Sequence, residues 1–341
     1  MRKNKTLILL GSICLVLVLA ALPFVGACAA PAPPGEVETD ILTSKAGGAG
    51  YVMSFALADI VNNTHPWLSM RGIETTGIAE NLKTLAAEPE RRPNTVIFAN
   101  AAGAYQAKVA DPPYEVAYGT LRAIALFNPA RLFWATQDSN LKTPHDLIGK
   151  KIGIFPSGSP GAIQWQSLVQ DGYGIGLDDI DWVYTPLGPG MNALADGRVD
   201  ATWALASPPP LNTPVAPLAK LLAVRDIYFI GFSADAAKVS REKIGYPTYV
   251  ARVPAGTYTS GQQELFAHIQ YLSWWADLEM DDDIVYEITK TIYENVDKFA
   301  DYHALGKTMT QTSIAQIGVE EMFHPGAIKF YKEKGVKIGL E

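Results

Sequence analysis

Cysteine is almost missing from this sequence, with two in 341 residues, Cys14 and Cys28. Both lie near the N-terminus, so the 313 residues from Ala29 to Glu341 carry no thiol. That excludes a disulfide framework, a thiol nucleophile and a cysteine-ligated metal from the body of the chain. Positive charge is also scarce: 28 Lys and Arg stand against 35 Asp and Glu, for a net charge of −7. Without a basic stripe, nucleic acid is not an expected partner. The five histidines (His65, His145, His268, His303 and His324) are scattered, and none has zinc-ligand spacing. Neither a Gly-x-Ser-x-Gly elbow nor a phosphate-binding P-loop occurs. After the first two dozen residues no apolar run is long enough to span a bilayer. The expectation is a protein that is not an enzyme and holds no cofactor and no metal.

What is present begins with a targeting signal. Arg2, Lys3 and Lys5 precede an apolar run from Leu7 to about Leu22, which ends in Val25-Gly26-Ala27-Cys28. Basic, then apolar, then small residues is the layout of a secretory signal. A small pair directly before cysteine is the lipobox pattern, in which Cys28 is acylated and the chain is cut before it. A plain membrane anchor is the alternative, since the run is long enough for one. Residues 28–38, rich in Ala and Pro, read as a tether.

Strand, turn and helix then alternate. Thr39 to Thr43, Ser69 to Glu74 and Thr95 to Ala99 read as strands. Tyr51 to Asn63, the segment through Asn81, Leu82 and Leu85, and the stretch through Tyr105 read as helices. Such alternation predicts α/β lobes with largely parallel sheets. Leu121 to Phe127 and Arg131 to Thr136 are two apolar stretches at which the chain is expected to cross into a second lobe. There Ile152 to Phe155, Trp182 to Pro186 and Val199 to Ala204 are strands. The return is expected near Leu222 to Phe232. Gln262 to Trp275, Asp282 to Phe299 and Gly318 to Lys334 read as helices, with Trp274 and Trp275 on the first of them. The expected organisation is a signal over residues 1–27, a tether over 28–38, one lobe from 39–128 and 223–341, and a second from 129–222. A cleft between them would close by hinging near Arg131 and Leu222.

Several fragments carry a family likeness. They are Gly47-Gly48-Ala49-Gly50-Tyr51, Thr75-Thr76-Gly77 with Glu80-Asn81-Leu82, and Ala193-Leu194-Ala195-Asp196-Gly197-Arg198-Val199-Asp200-Ala201. Two more specific ones are Val253-Pro254-Ala255-Gly256-Thr257-Tyr258 and His324-Pro325-Gly326-Ala327 with Tyr331 to Gly335. In this order they make the chain resemble the TAXI type of solute receptor, the extracytoplasmic component of TRAP transporters. The resemblance covers nearly all of the chain after the tether. It implies a two-lobed, type II periplasmic-binding-protein-like α/β fold; with the lipobox at Cys28, the expectation is a lipid-anchored, extracytoplasmic monomer. It also implies delivery of a small solute, such as a carboxylate, to a TRAP-type permease. The substrate-binding protein of an ATP-driven (ABC) importer is the alternative, since such proteins share the fold.

A carboxylate is well held by backbone N–H groups at helix N-termini. Three turns have this form. The first is Gly48, Ala49, Gly50 and Tyr51, where glycine permits close backbone approach. The second starts at Asn100, with Tyr105 one turn on; Asn100 reads equally as a helix cap. The third contains Ser157, Ser159 and Gly161. It departs from the family pattern, because Pro160 removes a backbone donor and Ala162 stands where the family has Glu. Asn81 is counted with the ligand-facing residues. Trp203 and Ser207 are expected at an apolar cleft wall, although Trp203 also reads as a core residue. Arg71, Arg122, Arg131 and Arg198 could each pair with a carboxylate, and none is singled out. Asp281-Asp282-Asp283 reads as a helix start more than as a metal site.

Overall fold

The alternation expected over residues 39–105 is present in the computed structural model, which describes residues 35–245 and 247–340. The signal, Cys28 and most of the tether lie outside the described residues. The first lobe is built from β1 (Val37–Leu42), α1 (Ala49–Thr64), β2 (Leu68–Ile73), α2 (Ile78–Ala87), β3 (Thr95–Asn100) and α3 (Ala101–Lys108). β4 (Leu121–Thr136) then leads into β5 (Lys151–Ile154), α4 (Pro160–Ser167), β6 (Asp181–Tyr184), α5 (Leu187–Ala195) and β7 (Ala201–Ala206). There follow α6 (Ala216–Leu222), β8 (Tyr228–Ile230), α7 (Ala234–Ile244), β9 (Val250–Val253), β10 (Leu265–Asp277), α8 (Asp282–Glu294) and α9 (Pro325–Glu333).

The strands form one curled sheet in the order β2-β1-β3-β10-β4-β7-β5-β6, with β8 on β4 and β9 on β10. β1, β2 and β3 pair in parallel, as do β5, β6 and β7. Between the two parallel sets lie β4 and β10, antiparallel to each other and long enough to belong to both. One buried cluster fills the first lobe, and two fill the second, one on each face of its sheet. This is a two-lobed α/β architecture in which two continuous strands are shared.

Four expectations need correction. The two apolar stretches at 121–127 and 131–136 are one strand, which continues through Asn128 and Pro129 with a register shift against β10 between Leu126 and Asn128. The return near 222–232 does not occur there: β8 pairs with Trp134 to Thr136, and Ala236 and Ala237 of α7 are buried in the second lobe's core. The chain comes back along β10 instead. Gln262 to Trp275 is therefore strand rather than helix, and Trp274 and Trp275 are both buried, at 0% and 2% exposure. A strand covered on both faces has no apolar alternation, so its pattern imitates a helix. Finally, only Pro325–Glu333 of the 318–334 segment is α-helical. Pro325 occupies the first turn, where a missing N–H costs nothing, and His324 caps it by accepting from Gly326 N at 3.3 Å. Asp281 likewise caps α8, accepting from Asp283 N at 2.8 Å.

Candidate functional site

Register places the strand ends. Asn100, at the C-terminal end of β3, lies opposite Leu272, and Leu272 lies opposite Asn128. Ala206, at the C-terminal end of β7, lies opposite Arg131. Both lobes thus aim the C-terminal ends of their parallel strands at the middle of β4 and β10, and ligands of open α/β sheets gather at such ends.

Side-chain alternation then sorts the faces. Along β10, Trp274 donates its indole N–H to Ser54 of α1 at 3.0 Å, and His268 accepts from Trp165 of α4 at 3.2 Å. Positions 268, 270, 272 and 274 share a face, so α1 and α4 cover the same face of the sheet, one in each lobe. Gln270, Leu272 and the facing Asn128 and Ala130 form the floor between them. Asn128 is 5% exposed, and its Oδ1 has no hydrogen-bond partner. An unpaired acceptor in a buried floor is a costly feature unless something occupies it in use.

The first and third turns open α1 and α4, so they belong to this face. Gly48 caps α1 without a side-chain bond, and Ala49 and Tyr51 are half-buried. A Cβ on Gly50 would sit 2.4 Å from the Phe98 ring, so this glycine is set by a close approach of helix to strand. Tyr51 packs on Phe55, with ring centroids 4.5 Å apart. In the third turn Ser157 is exposed, and Ser159 caps α4 by accepting from Ala162 N at 3.3 Å. Gly161 lies under the Phe155 ring, 2.8 Å from where its Cβ would be.

Asn81 is displaced from the expected role. It is fully buried, its amide N–H groups reach the carbonyls of Leu42, Thr43 and Phe98, and its Oδ1 accepts from Thr75. It ties the ends of β1 and β3 together and has nothing left to offer a ligand. Asn100 takes the capping role, accepting from Gly103 N at 2.7 Å. Trp203 donates to Thr185 O at 3.0 Å and stacks on Phe155 at 4.1 Å, inside a buried cluster. The backbone of Ser207 bonds Thr213 O, and the loop beyond it carries Leu211 onto the first lobe's core.

The other face is different. Tyr105 lines a cavity of about 470 Å³ there, together with Trp275, Arg122, Arg241 and Tyr249. Of the four arginines weighed above, Arg71 and Arg198 are paired with Asp40 and Asp196. Arg122 donates to the carbonyls of Gly119 and Leu121. Arg131, at the crossing, makes one long bond to Arg252 O at 3.4 Å and leaves its Nε without a partner. Burial pushes its pKa down, and the nearby Tyr258 and Tyr271 hydroxyls oppose that shift.

Asn128, Gln270, Arg241 and Tyr249 were not foreseen. Asn128 could have been found, because a polar residue between two apolar stretches is the signal of a buried strand's functional position. Among the described residues, no group of three or more His, Cys, Asp or Glu side chains stands together, and no helix is long and apolar enough to cross a membrane.

The model of the NMT1-like family matches residues 41–335. The chain belongs to the NMT1-like family. Similar solved structures include the periplasmic aliphatic sulphonate-binding protein SsuA of Escherichia coli, at 13% identity over 89% of this chain and 94% of that one, with a TM-score of 0.45. A TctC solute-binding protein from Polaromonas is 13% identical over 83% and 90%, with a TM-score of 0.47. A Salmonella typhimurium periplasmic binding protein with high arginine specificity is 15% identical over 80% and 98%, with a TM-score of 0.42.

Proposed function

We propose that this NMT1-like protein is a lipid-anchored receptor that closes its lobes on a small carboxylate and presents it to a TRAP-type permease. The observation that carries the reading is the shared floor. Two helices, one from each lobe, pack on the same face of β10, α1 through Ser54 and α4 through Trp165, and the unpartnered Asn128 Oδ1 lies on the strand paired with it. Helix N-termini favour anions, and Asn128 supplies an amide that can both donate and accept. A solute touching both helices favours the closed form, because its contacts exist in full only there. The fragments shared with TAXI receptors support the TRAP assignment, and Cys28 is the anchor.

A thermal-shift screen of the lipid-free chain against mono- and dicarboxylates, sulfonates, amino acids and sugars tests the ligand class. At a hundred times its Kd, a ligand that binds only the folded state adds about 2.7 kcal/mol. A carboxylate that raises the melting point in the native protein, with affinity about tenfold weaker in Asn128→Ala, is the expected result. A shift from sugars alone would end the carboxylate reading. Uptake that tracks ATP rather than an ion gradient would assign the receptor to an ABC importer. Release of Cys28→Ser from membranes checks the anchor.

A further inference from the structure

A cavity of about 850 Å³, the size of a small-molecule site, lies in the second lobe. One bank follows β8 and the turn into α7, the other follows residues 259–266 into β10, and residues 139–145 complete the wall. Tyr228 of β8 lies opposite Thr136, and Thr136 lies opposite Ala201 at the N-terminal end of β7. β8 therefore sits at the end of the lobe away from the cleft. A single bridge ties the banks together, where Phe232 N donates to Phe266 O at 2.8 Å. Their footing is firm, since Phe232 belongs to one buried cluster of this lobe and Ile227 and Leu265 to the other. The surface between the banks is apolar and within reach of solvent. Tyr228 and Phe266 are 41% and 36% exposed, and Tyr173, Leu222 and Phe229 are half-buried. Large apolar side chains gathered on one exposed surface mark a binding site. The wall's polar side chains are mostly spent. Gln262 donates to the carbonyls of Pro254 and Gln263, both at 3.0 Å, and accepts from Tyr258 N at 2.9 Å. The Tyr173 hydroxyl accepts from Ser233 N at 2.5 Å, and Thr143 donates to Asp146 at 2.9 Å. A sugar would find few partners here. Charge is available, however. The side chains of Lys142 and Arg225 are exposed on the wall and have no carboxylate partner among the described residues. Of the two acids in the wall, Glu264 is committed to Arg252 at 2.6 Å, which leaves Asp226.

We infer that this slot is a second ligand site, for a medium-chain alkyl carboxylate. The alkyl chain lies between the banks on Tyr228, Phe266 and Leu222, where it covers apolar surface that water now reaches. The carboxylate lies by Lys142 and Arg225, where it makes charge-assisted hydrogen bonds. The inference is independent of which solute the cleft takes, because the walls belong to the second lobe and to the segment leading into β10.

Calorimetric titration of residues 36–341, the compact unit that contains all three cores, with octanoate, butyrate and octanamide tests it. Saturable binding of octanoate is expected, with butyrate more than tenfold weaker because it buries four fewer methylene groups. Octanamide should bind about tenfold more weakly than octanoate, and Lys142→Gln with Arg225→Gln should bring the two level. Tyr228→Ser with Phe266→Ser should weaken octanoate by about tenfold or more. All four side chains are exposed, so these variants should fold, and an unchanged melting point checks that they do. Asn128→Ala, in the cleft, should leave octanoate binding unchanged. No saturable heat with octanoate overturns the inference. So does butyrate or octanamide binding as tightly as octanoate, or octanoate binding that ignores the Tyr228 and Phe266 changes. Binding lost in Asn128→Ala would place the acid in the cleft instead. Sedimentation showing a dimer that octanoate leaves intact and that Tyr228→Ser breaks would give the slot to a second copy of the chain, and would equally overturn it.

Discussion

Asn81 shows how a side chain that looks like a ligand group can instead hold the scaffold. Its amide serves three carbonyls at the ends of β1 and β3, all out of reach of water. Asn81→Ala leaves those acceptors short of a donor, and each buried unsatisfied group costs about 1–3 kcal/mol. Some of the carbonyls keep ladder bonds, so the expected loss is about 3 kcal/mol in urea unfolding at unchanged m. Solute affinity of the folded variant should stay within about twofold of the parent. Lost affinity at full stability would return Asn81 to the binding site. His268 makes a second residue-scale case. It is buried against Trp165 and Phe232, and burial alone holds its pKa down at about 3, against 6.5 for the free side chain. The folded state keeps it neutral while the unfolded chain takes a proton below pH 6.5. Stability is thus full above that value and falls by about 1.4 kcal/mol per pH unit as the pH drops toward 3. His65 and His324, whose pKa values burial also lowers, add to the slope. Urea unfolding between pH 7 and 4.5 should show His268→Gln with a shallower slope than the parent; equal slopes would contradict the assignment.

At the scale of elements, legibility followed burial. α1 was readable because Met53, Ala56, Leu57 and Ile60 are buried while Asp59, Asn62, Asn63 and Thr64 face solvent. The parallel strand β3 was readable because turn residues bound a short apolar run, Val96 to Ala99. β10 was not, because both of its faces are covered: His268 and Trp274 pack under α4 and α1, and Tyr271 and Trp275 under the opposite layer. β4 hid for another reason. Asn-Pro in mid-strand reads as a break, yet Asn128 and Pro129 pair in register with Leu272 and Tyr271. Each error bears on the proposed function, since these two strands cross between the lobes and floor the proposed cleft. The glycine-rich first turn and the Ser159 turn were legible as helix starts, but their shared face became visible only through β10's register. The expected wall residue Trp203 was legible only as an aromatic at a strand end, which fits core and cleft equally.

At the scale of the whole molecule, the seam between lobes is narrow enough for one glycine to matter. Gly245, ending α7, has φ of +73°, and a Cβ there would lie 2.5 Å from the hydroxyl oxygen of Tyr105 on α3. Gly245→Ala therefore combines two effects. The left-handed backbone disfavours a side chain by about 1–2 kcal/mol, and the methyl pushes the second lobe away from the first. The second effect is the informative one. A solute that binds the closed form has its apparent Kd raised by the reciprocal of the closed fraction. Gly245→Ala should then show a larger radius of gyration in solution scattering, with saturating solute restoring the parent value. Tyr105→Leu added to Gly245→Ala separates the causes, since it removes the clash and leaves the backbone cost. Recovery of the compact shape and of solute affinity in the double variant, with stability still below the parent, is expected if contact across the seam sets the open-closed balance. An unchanged radius in Gly245→Ala would mean that α3 and the end of α7 move together, and closure would then have to be sought at the middle of β4 and β10 alone.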